Sequence, residues 1–309
     1  MGRTFIKNLK EISIKDFDAV GGKNSSLGEM LCNLTELGIN VPGGFAITSS
    51  AFDEFMSSSK IDKVISKELA NLNVENLRDL RRTGRKLRGL ILKTPLPQNL
   101  ISQIEQAWLV VSRSGKSFAV RSSATAEDLP DASFAGQQET FLNIDGFDNL
   151  LNAVRKVYAS LFTDRAISYR KLRNFKGSLS ISVGVQEMVR SDIGSSGVAF
   201  TLDTESGYRG SIFITSSYGL GEGIVQGTVN PDEFYVYKKA LEKNDFPIIK
   251  KSLGEKAKKM IFADNNLPGK SVKYVKVPKK ETKEFSLTNN EIIELAKYAK
   301  TIEDHYKVP

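Results

Sequence analysis

The feature that most constrains this 309-residue chain is a change of period near Leu179. Before it, apolar residues recur at helical spacing. KNSSLGEMLCNLTELG starts straight after Gly21-Gly22, stops at Gly38, and puts Leu27, Met30, Leu31, Leu34 and Leu37 on one stripe, the three-and-four rhythm of a half-buried helix. VPGGFAIT reads as a turn and a strand, and residues 50–110 are mainly helical, punctuated by Pro95 and Pro97. FDNLLNAVRKVYASLFTDRAISYRKLR reads as one long amphipathic helix with Leu150, Leu151, Val154, Val157, Tyr158, Leu161 and Phe162 inward. After Leu179 come short runs rich in β-branched and aromatic residues, LSISVGVQEMV, GVAFTLD, SIFITSSYG and EFYVYKK, separated by Gly and Ser. These four runs predict one sheet, largely antiparallel. TNNE, residues 288–291, is a capping box that opens a last helix through Ile292, Leu295, Ala296, Ala299 and Ile302. The fold class expected is α+β, with a mixed part over residues 1–178 and a sheet-rich part over 179–309. A cleft between two such parts is a usual place for a ligand.

Composition excludes several classes. No apolar run approaches the roughly 18 residues that span a bilayer, and the N-terminus has no signal-peptide core. One cysteine, Cys32, allows no internal disulfide, which fits a reducing compartment. A cytoplasmic protein with no membrane partner is expected. Cys32 lies among apolar residues and reads as a buried, inert thiol. The net charge of +8 owes much to residues 248–280. That tract carries only two aromatics, Phe262 and Tyr274, among its lysines and no nucleic-acid motif, so it reads as a solvated lysine face with no nucleic-acid partner. A basic chain also suits an anionic substrate such as ATP through steering. The lone histidine, His305, has no Cys, Ser or second His beside it and reads as a surface helix residue.

Four places carry residues suited to phosphate chemistry. Lys23 follows two glycines and opens a helix. Glycines let backbone approach a ligand, and a helix N-terminus offers free N–H groups and partial positive charge. GGKNSS lacks the Walker A spacing, so Lys23 reads either as an anion site or as a solvated lysine at a turn. Arg121 stands at the end of the apolar run FAV, residues 118–120, before a loop almost free of bulk. Its guanidinium matches phosphate oxygens bidentately; the alternative is an ion pair with Glu127 or Asp128. The loop that follows carries Gly136, Gln137, Gln138 and Thr140, small or uncharged donors suited to cradling phosphate, and TFLNI, residues 140–144, closes it as a strand. GVQEMV, residues 184–189, reads as an ordinary core strand or as a hinge whose backbone pairs with an adenine edge while Met188 packs on the ring. YGLGEGIVQG is not the dinucleotide fingerprint, because its third Gly is misplaced. Glu222 within it is a solvated turn acid or faces a metal–phosphate group.

Taken in order, VGGKNSSLGEM, VPGGFAIT, AVRSSATAEDLPDASFAGQQETFLNI, ASLFTDRAISYR, SVGVQEMVRSD, GVAFTLDTESG and ITSSYGLGEGIVQGTVNPDEFYVYK span nearly the whole chain. They closely resemble the N-terminal nucleotide-binding region of the phosphoenolpyruvate synthase (pyruvate, water dikinase) family. DTESG with NPDEFYV resembles the synthases; pyruvate, phosphate dikinases and rifampicin phosphotransferases share the arginine loop more loosely.

The resemblance implies an ATP-grasp-like fold binding ATP and Mg2+ between two subdomains. In the family, a histidine on a swivelling domain takes a pyrophosphoryl group from ATP, loses phosphate, and passes the remaining phosphoryl to pyruvate on a C-terminal barrel. Carried over by position, Lys23 and Arg121 are the phosphate clamps and Gly136, Gln137, Gln138 and Thr140 the loop over the β and γ phosphates. Gln186, Glu187, Met188 and Val189 are the adenine hinge, and Glu222 is an acid near the nucleotide. The phosphohistidine segment and the pyruvate barrel are not in this chain. The family's magnesium-binding acidic strand is expected beyond Pro309, which falls where a further strand should begin. The full reaction is therefore not expected of these 309 residues alone. A stand-alone nucleotide-sensing module is the rival from another class.

Overall fold

The computed structural model describes residues 4–124, 128–129, 132–133, 139–173, 180–243 and 245–309. The chain forms two units: one of residues up to 35, 40–188 and 266–271, the other of residues 36–39, 189–265 and 272–309.

The first unit is built on a sheet of β1 (Ile6–Asn8), β2 (Gly44–Ile47), β3 (Phe118–Ala124), β6 (Thr140–Ile144) and β7 (Ile181–Glu187), in the order β1-β2-β7-β3-β6 with antiparallel neighbours. Between β3 and β6 lie two two-residue strands, β4 (Asp128–Leu129) and β5 (Ala132–Ser133), paired with each other. The helices are α1 (Phe17–Asn33), α2 (Ser49–Ser58), α3 (Ile61–Ala70), α4 (Leu77–Lys93), α5 (Gln98–Val111), α6 (Phe147–Ser160) and α7 (Asp164–Leu172). One sheet face is buried under the main core, where Phe45, Ile47, Phe118, Val120, Val183 and Val185 meet helical residues such as Phe52, Leu87, Ile104 and Tyr158. The opposite face receives α1.

The second unit has a four-stranded antiparallel sheet, β11-β10-β9-β8, from β8 (Ser195–Phe200), β9 (Ser211–Tyr218), β10 (Asp232–Tyr237) and β11 (Ile248–Ser252). A separate ladder pairs β12 (Lys258–Phe262) with β13 (Val272–Lys276). Its helices are α8 (Glu222–Val225), α9 (Lys238–Lys243) and α10 (Asn289–Tyr306). Ile292, Ala296 and Ala299 of α10 pack on Ile212, Ile214, Phe234 and Val236 of the sheet.

Mixed helix and antiparallel sheet agree with the α+β expectation, and three local readings are corrected. LSISVGVQEMV does not join the later strands. Its strand β7 is central in the first sheet, and β11 takes the fourth place in the second. Residues 181–185 are all buried, and a strand covered on both faces carries no alternation to show which sheet it joins. The long helix after residue 146 is two helices. Thr163 is extended (φ −65°, ψ 152°) and its side chain accepts from Ala166 N–H, which starts α7 afresh. Cys32 is exposed, and its Sγ donates to the Lys10 carbonyl at 3.1 Å. The buried stripe of α1 runs through Val20, Asn24, Gly28 and Leu31, and Cys32 lies about 100° round the helix from Leu31.

Candidate functional site

Arg121 sits inside β3, not at its end as the sequence suggested. Ser122, Ser123 and Ala124 continue the ladder opposite Val183, Ser182 and Ile181, because small residues allow pairing to persist past the apolar run. Antiparallel partners share a sheet face. Ala119 pairs with Gln186, Arg121 with Gly184 and Ser123 with Ser182; Arg121 also pairs with Thr140. Phe118 and Val120 point into the main core, so by alternation Arg121, Thr140, Ser123, Ser182 and Gln186 occupy the opposite face. Arg121 is half-buried there and Thr140 is exposed. Gln186 donates from Nε2 to the Pro42 carbonyl at 3.1 Å.

Lys23 reaches the same face through α1. The helix is interrupted at Gly21 (φ 74°, ψ 166°), a left-handed-side conformation natural to glycine. It restarts at once, which leaves Lys23 exposed in the first turn of the restarted segment. That segment packs on β3, β7 and β2. A Cβ on Gly21 would lie 2.4 Å from the Ser123 carbonyl oxygen, so only glycine lets the turn sit this close. Thus Lys23, Arg121, Thr140 and Gln186 share one face of one sheet. Two cations, a hydroxyl and an amide form a donor set suited to an anion with several oxygens.

The other expected residues are placed differently. Glu187 is on the core side of the alternation, with Oε2 2.9 Å from Lys116 Nζ, and its N–H donates to the Gly43 carbonyl. Met188 follows the strand; its N–H donates to the Ser117 carbonyl and its Sδ accepts from Asn143 N–H. Val189 and Glu222 belong to the second unit, where Val189 is exposed. Glu222 opens α8 and accepts from Gln226 Nε2 at 2.8 Å. Burial raises its carboxyl pKa above the ordinary value. Gly136, Gln137, Gln138 and the side chains of Glu127 and Asp128 lie outside the described residues. His305 is half-buried, edge-on to Tyr306. Among the described residues, no three His, Cys, Asp or Glu side chains gather as a metal cage, and no helix is long and apolar enough to cross a membrane.

Residues 17–309 match the family described as pyruvate phosphate dikinase, AMP/ATP-binding domain. The chain belongs to this family. The chain is 53% identical over 314 residues to a phosphoenolpyruvate synthase of Neisseria meningitidis, covering 100% of this chain and 40% of that protein. It is 49% identical to the phosphoenolpyruvate synthase of Escherichia coli K12, covering 97% and 38%. It is 38% identical to a probable phosphoenolpyruvate synthase of Methanothermobacter thermautotrophicus, covering 99% and 43%. The chain thus spans about two fifths of the length of these relatives.

On the donor face of this AMP/ATP-binding domain, between the sheet and α1, lies a polar layer that the sequence reading missed. Asn24, Ser123 and Ser182 are almost wholly buried. The signal was present in two short strings, GGKN and RSS, where small polar residues flank the two cations. Nothing in the sequence shows that β3 and β7, some sixty residues apart, are neighbours.

Proposed function

We propose that this domain binds ATP with the phosphates over the donor face of the first sheet, held by Arg121 and Lys23. The observation that carries this reading is that register and the Gly21 break bring these two cations to one face with Thr140 and Gln186. Gly184, opposite Arg121, carries no side chain, and Asn24 occupies the space above it. Arg121 donates from a planar fork to phosphate oxygens, and Lys23 supplies a mobile point charge at a helix start. Gly136, Gln137 and Gln138 complete the phosphate loop, Gln186 to Val189 form the adenine hinge, and Glu222 lies near the nucleotide. This assignment rests on the family resemblance. So does the ATP-grasp-like fold, which antiparallel sheets with flanking helices support; the two-part organisation read from the change of period is proposed with its boundary moved to about residue 188, because β7 belongs to the first unit.

Bound ATP supplies a phosphoryl donor; the chain's own contribution is alignment and charge neutralisation. Magnesium enters as the ion carried on the phosphates. In the full-length protein, the reading is a pyruvate, water dikinase. It passes phosphoryl from ATP through a phosphohistidine to pyruvate and gives phosphoenolpyruvate, AMP and phosphate. Relatives named phosphoenolpyruvate synthase favour that acceptor over an antibiotic. The single cysteine, which allows no internal disulfide, supports a cytoplasmic enzyme.

The test is a calorimetric titration of the chain with magnesium-ATP, with GTP and the Arg121→Ala variant as controls. Loss of a charge-assisted hydrogen bond worth about 1.5–3 kcal/mol should weaken ATP binding by roughly 10- to 150-fold, with the fold retained. A folded chain that binds no ATP, or binds it unchanged in the variant, would overturn the assignment.

A further inference from the structure

The polar layer between the donor face and α1 is bonded specifically. Asn24 is fully buried. Its Nδ2 donates to the Val20 carbonyl and to Ser182 Oγ, both at 3.1 Å. Ser182 Oγ in turn donates to the Ile47 carbonyl of β2 at 2.8 Å. The Asn24 N–H donates to Ser123 Oγ at 3.2 Å. Asn24 Oδ1 has no hydrogen-bond partner among the described residues. It lies so close above Gly184 that a Cβ there would be 2.4 Å away.

These contacts tie one helical turn to three strands. Asn24 follows Lys23 in sequence. Ser123 is two residues from Arg121 on the same face, Gly184 is the register partner of Arg121, and Ser182 pairs with Ser123. The anchor points of the two cations are therefore joined by one buried hydrogen-bonded network. An apolar side chain at residue 24 could fill the same space but would not fix the angle and depth of the turn, because hydrogen bonds are directional and apolar contacts are not.

We infer that Asn24, seated on Ser123, Ser182 and Gly184, is a positioning residue that sets the spacing of Lys23 from Arg121 and so aligns the phosphates they hold. The inference rests on the phosphate-clamp reading above. Asn24 acts through Lys23 and does not itself touch the nucleotide. A purely structural role would lower stability and leave ligand preference alone. A positioning role changes the phosphate-dependent part of binding in a chain that is still folded.

The experiment titrates ATP and adenosine into wild-type chain and the Asn24→Ala, Ser123→Ala and Arg121→Ala variants, well below each melting temperature. Ser123→Ala keeps the test open if Asn24→Ala does not fold, because it deletes a single hydroxyl. Misplacement of a clamp by a fraction of an ångström should cost ATP affinity roughly tenfold or more, with adenosine affinity unchanged. ATP affinity at the wild-type level in folded Asn24→Ala or Ser123→Ala, with Arg121→Ala still impaired, would overturn the positioning role and leave the clamp reading standing. Equal losses for ATP and adenosine would overturn it as well. Failure of wild type to bind ATP, or of Arg121→Ala to weaken it, would instead remove the clamp reading and the inference together.

Discussion

Lys256 shows how far a residue's neighbours in sequence can mislead. It lies within the lysine-rich tract, where Lys250, Lys251, Lys273, Lys276, Lys279 and Lys280 are all exposed as expected. Lys256 is fully buried, in a left-handed conformation (φ 43°), and forms an ion pair with Asp232, also fully buried. Asp232 is otherwise saturated: it accepts from Gly254 N–H at 2.8 Å, from Ser286 N–H at 2.7 Å and from Ser286 Oγ at 2.8 Å. One carboxylate thereby joins three segments distant in sequence. Desolvating two charges is costly, so the pair itself adds little net stability, but removing one partner strands the other. Lys256→Met should therefore destabilise the second unit by about 3–5 kcal/mol, measured by urea unfolding. Lys279→Met on the exposed face should fall within about 0.5 kcal/mol of wild type. The tract also meets aromatics outside it, with Lys250 over Tyr235 and Lys251 over Phe285, and one of its own, with Lys258 over Tyr274.

At the scale of elements, local signals held in part: the Gly38 stop failed, because α1 ends at Asn33 and leaves Leu37 exposed, whereas the last helix starts where its capping box predicts. The capping box before α10 is present in full: Thr288 Oγ1 accepts from Glu291 N–H, and Glu291 Oε2 accepts from Thr288 N–H at 2.7 Å. The backbone bond from Thr288, followed by the one from its hydroxyl, holds the Glu291 carboxyl below its ordinary value of 4.5. A depressed carboxyl stabilises the fold at pH values above its unfolded pKa, and this contribution fades as pH falls through the folded pKa. Thr288→Ala should cost about 1 kcal/mol. The cost of Glu291→Gln should be present at neutral pH and disappear on acidification below 4.5, as followed by thermal melts across pH. The same local logic found the strands at 118–120 and 140–144 and the glycine-started helix at Lys23. It failed at residues 161–163, where a tertiary break overrides a continuous apolar stripe, and at β7, whose partners are set by pairings remote in sequence. The candidate site was legible to a similar degree. Lys23, Arg121 and Thr140 were readable as donors from their chemistry, whereas Gln186 was read only as part of an adenine hinge. Their common face depends on strand register, and the Asn24 seat depends on which strands are neighbours.

For the whole molecule, the net charge of +8 allows two kinds of anionic partner, and they differ in their response to salt. A nucleic-acid binder engages many phosphates through exposed lysines and releases many counterions. Between about 50 and 200 mM salt, six to ten such contacts lose roughly 10³- to 10⁵-fold in affinity. The donor face is different. It offers two cations to one ligand, and Arg121 is half-buried, where screening is weaker than on an open surface. The exposed lysines then act at long range, favouring the approach of an anion without contacting it. Over that salt range, ATP affinity should fall by less than about tenfold, most of it in the association rate. A fluorescent single-stranded oligonucleotide should not displace the nucleotide. Titration and stopped-flow binding at the two salt concentrations would check both expectations. Steep, multi-ion salt dependence with oligonucleotide competition would mean that the lysine tract, and not the Arg121 face, is where this chain meets its ligand.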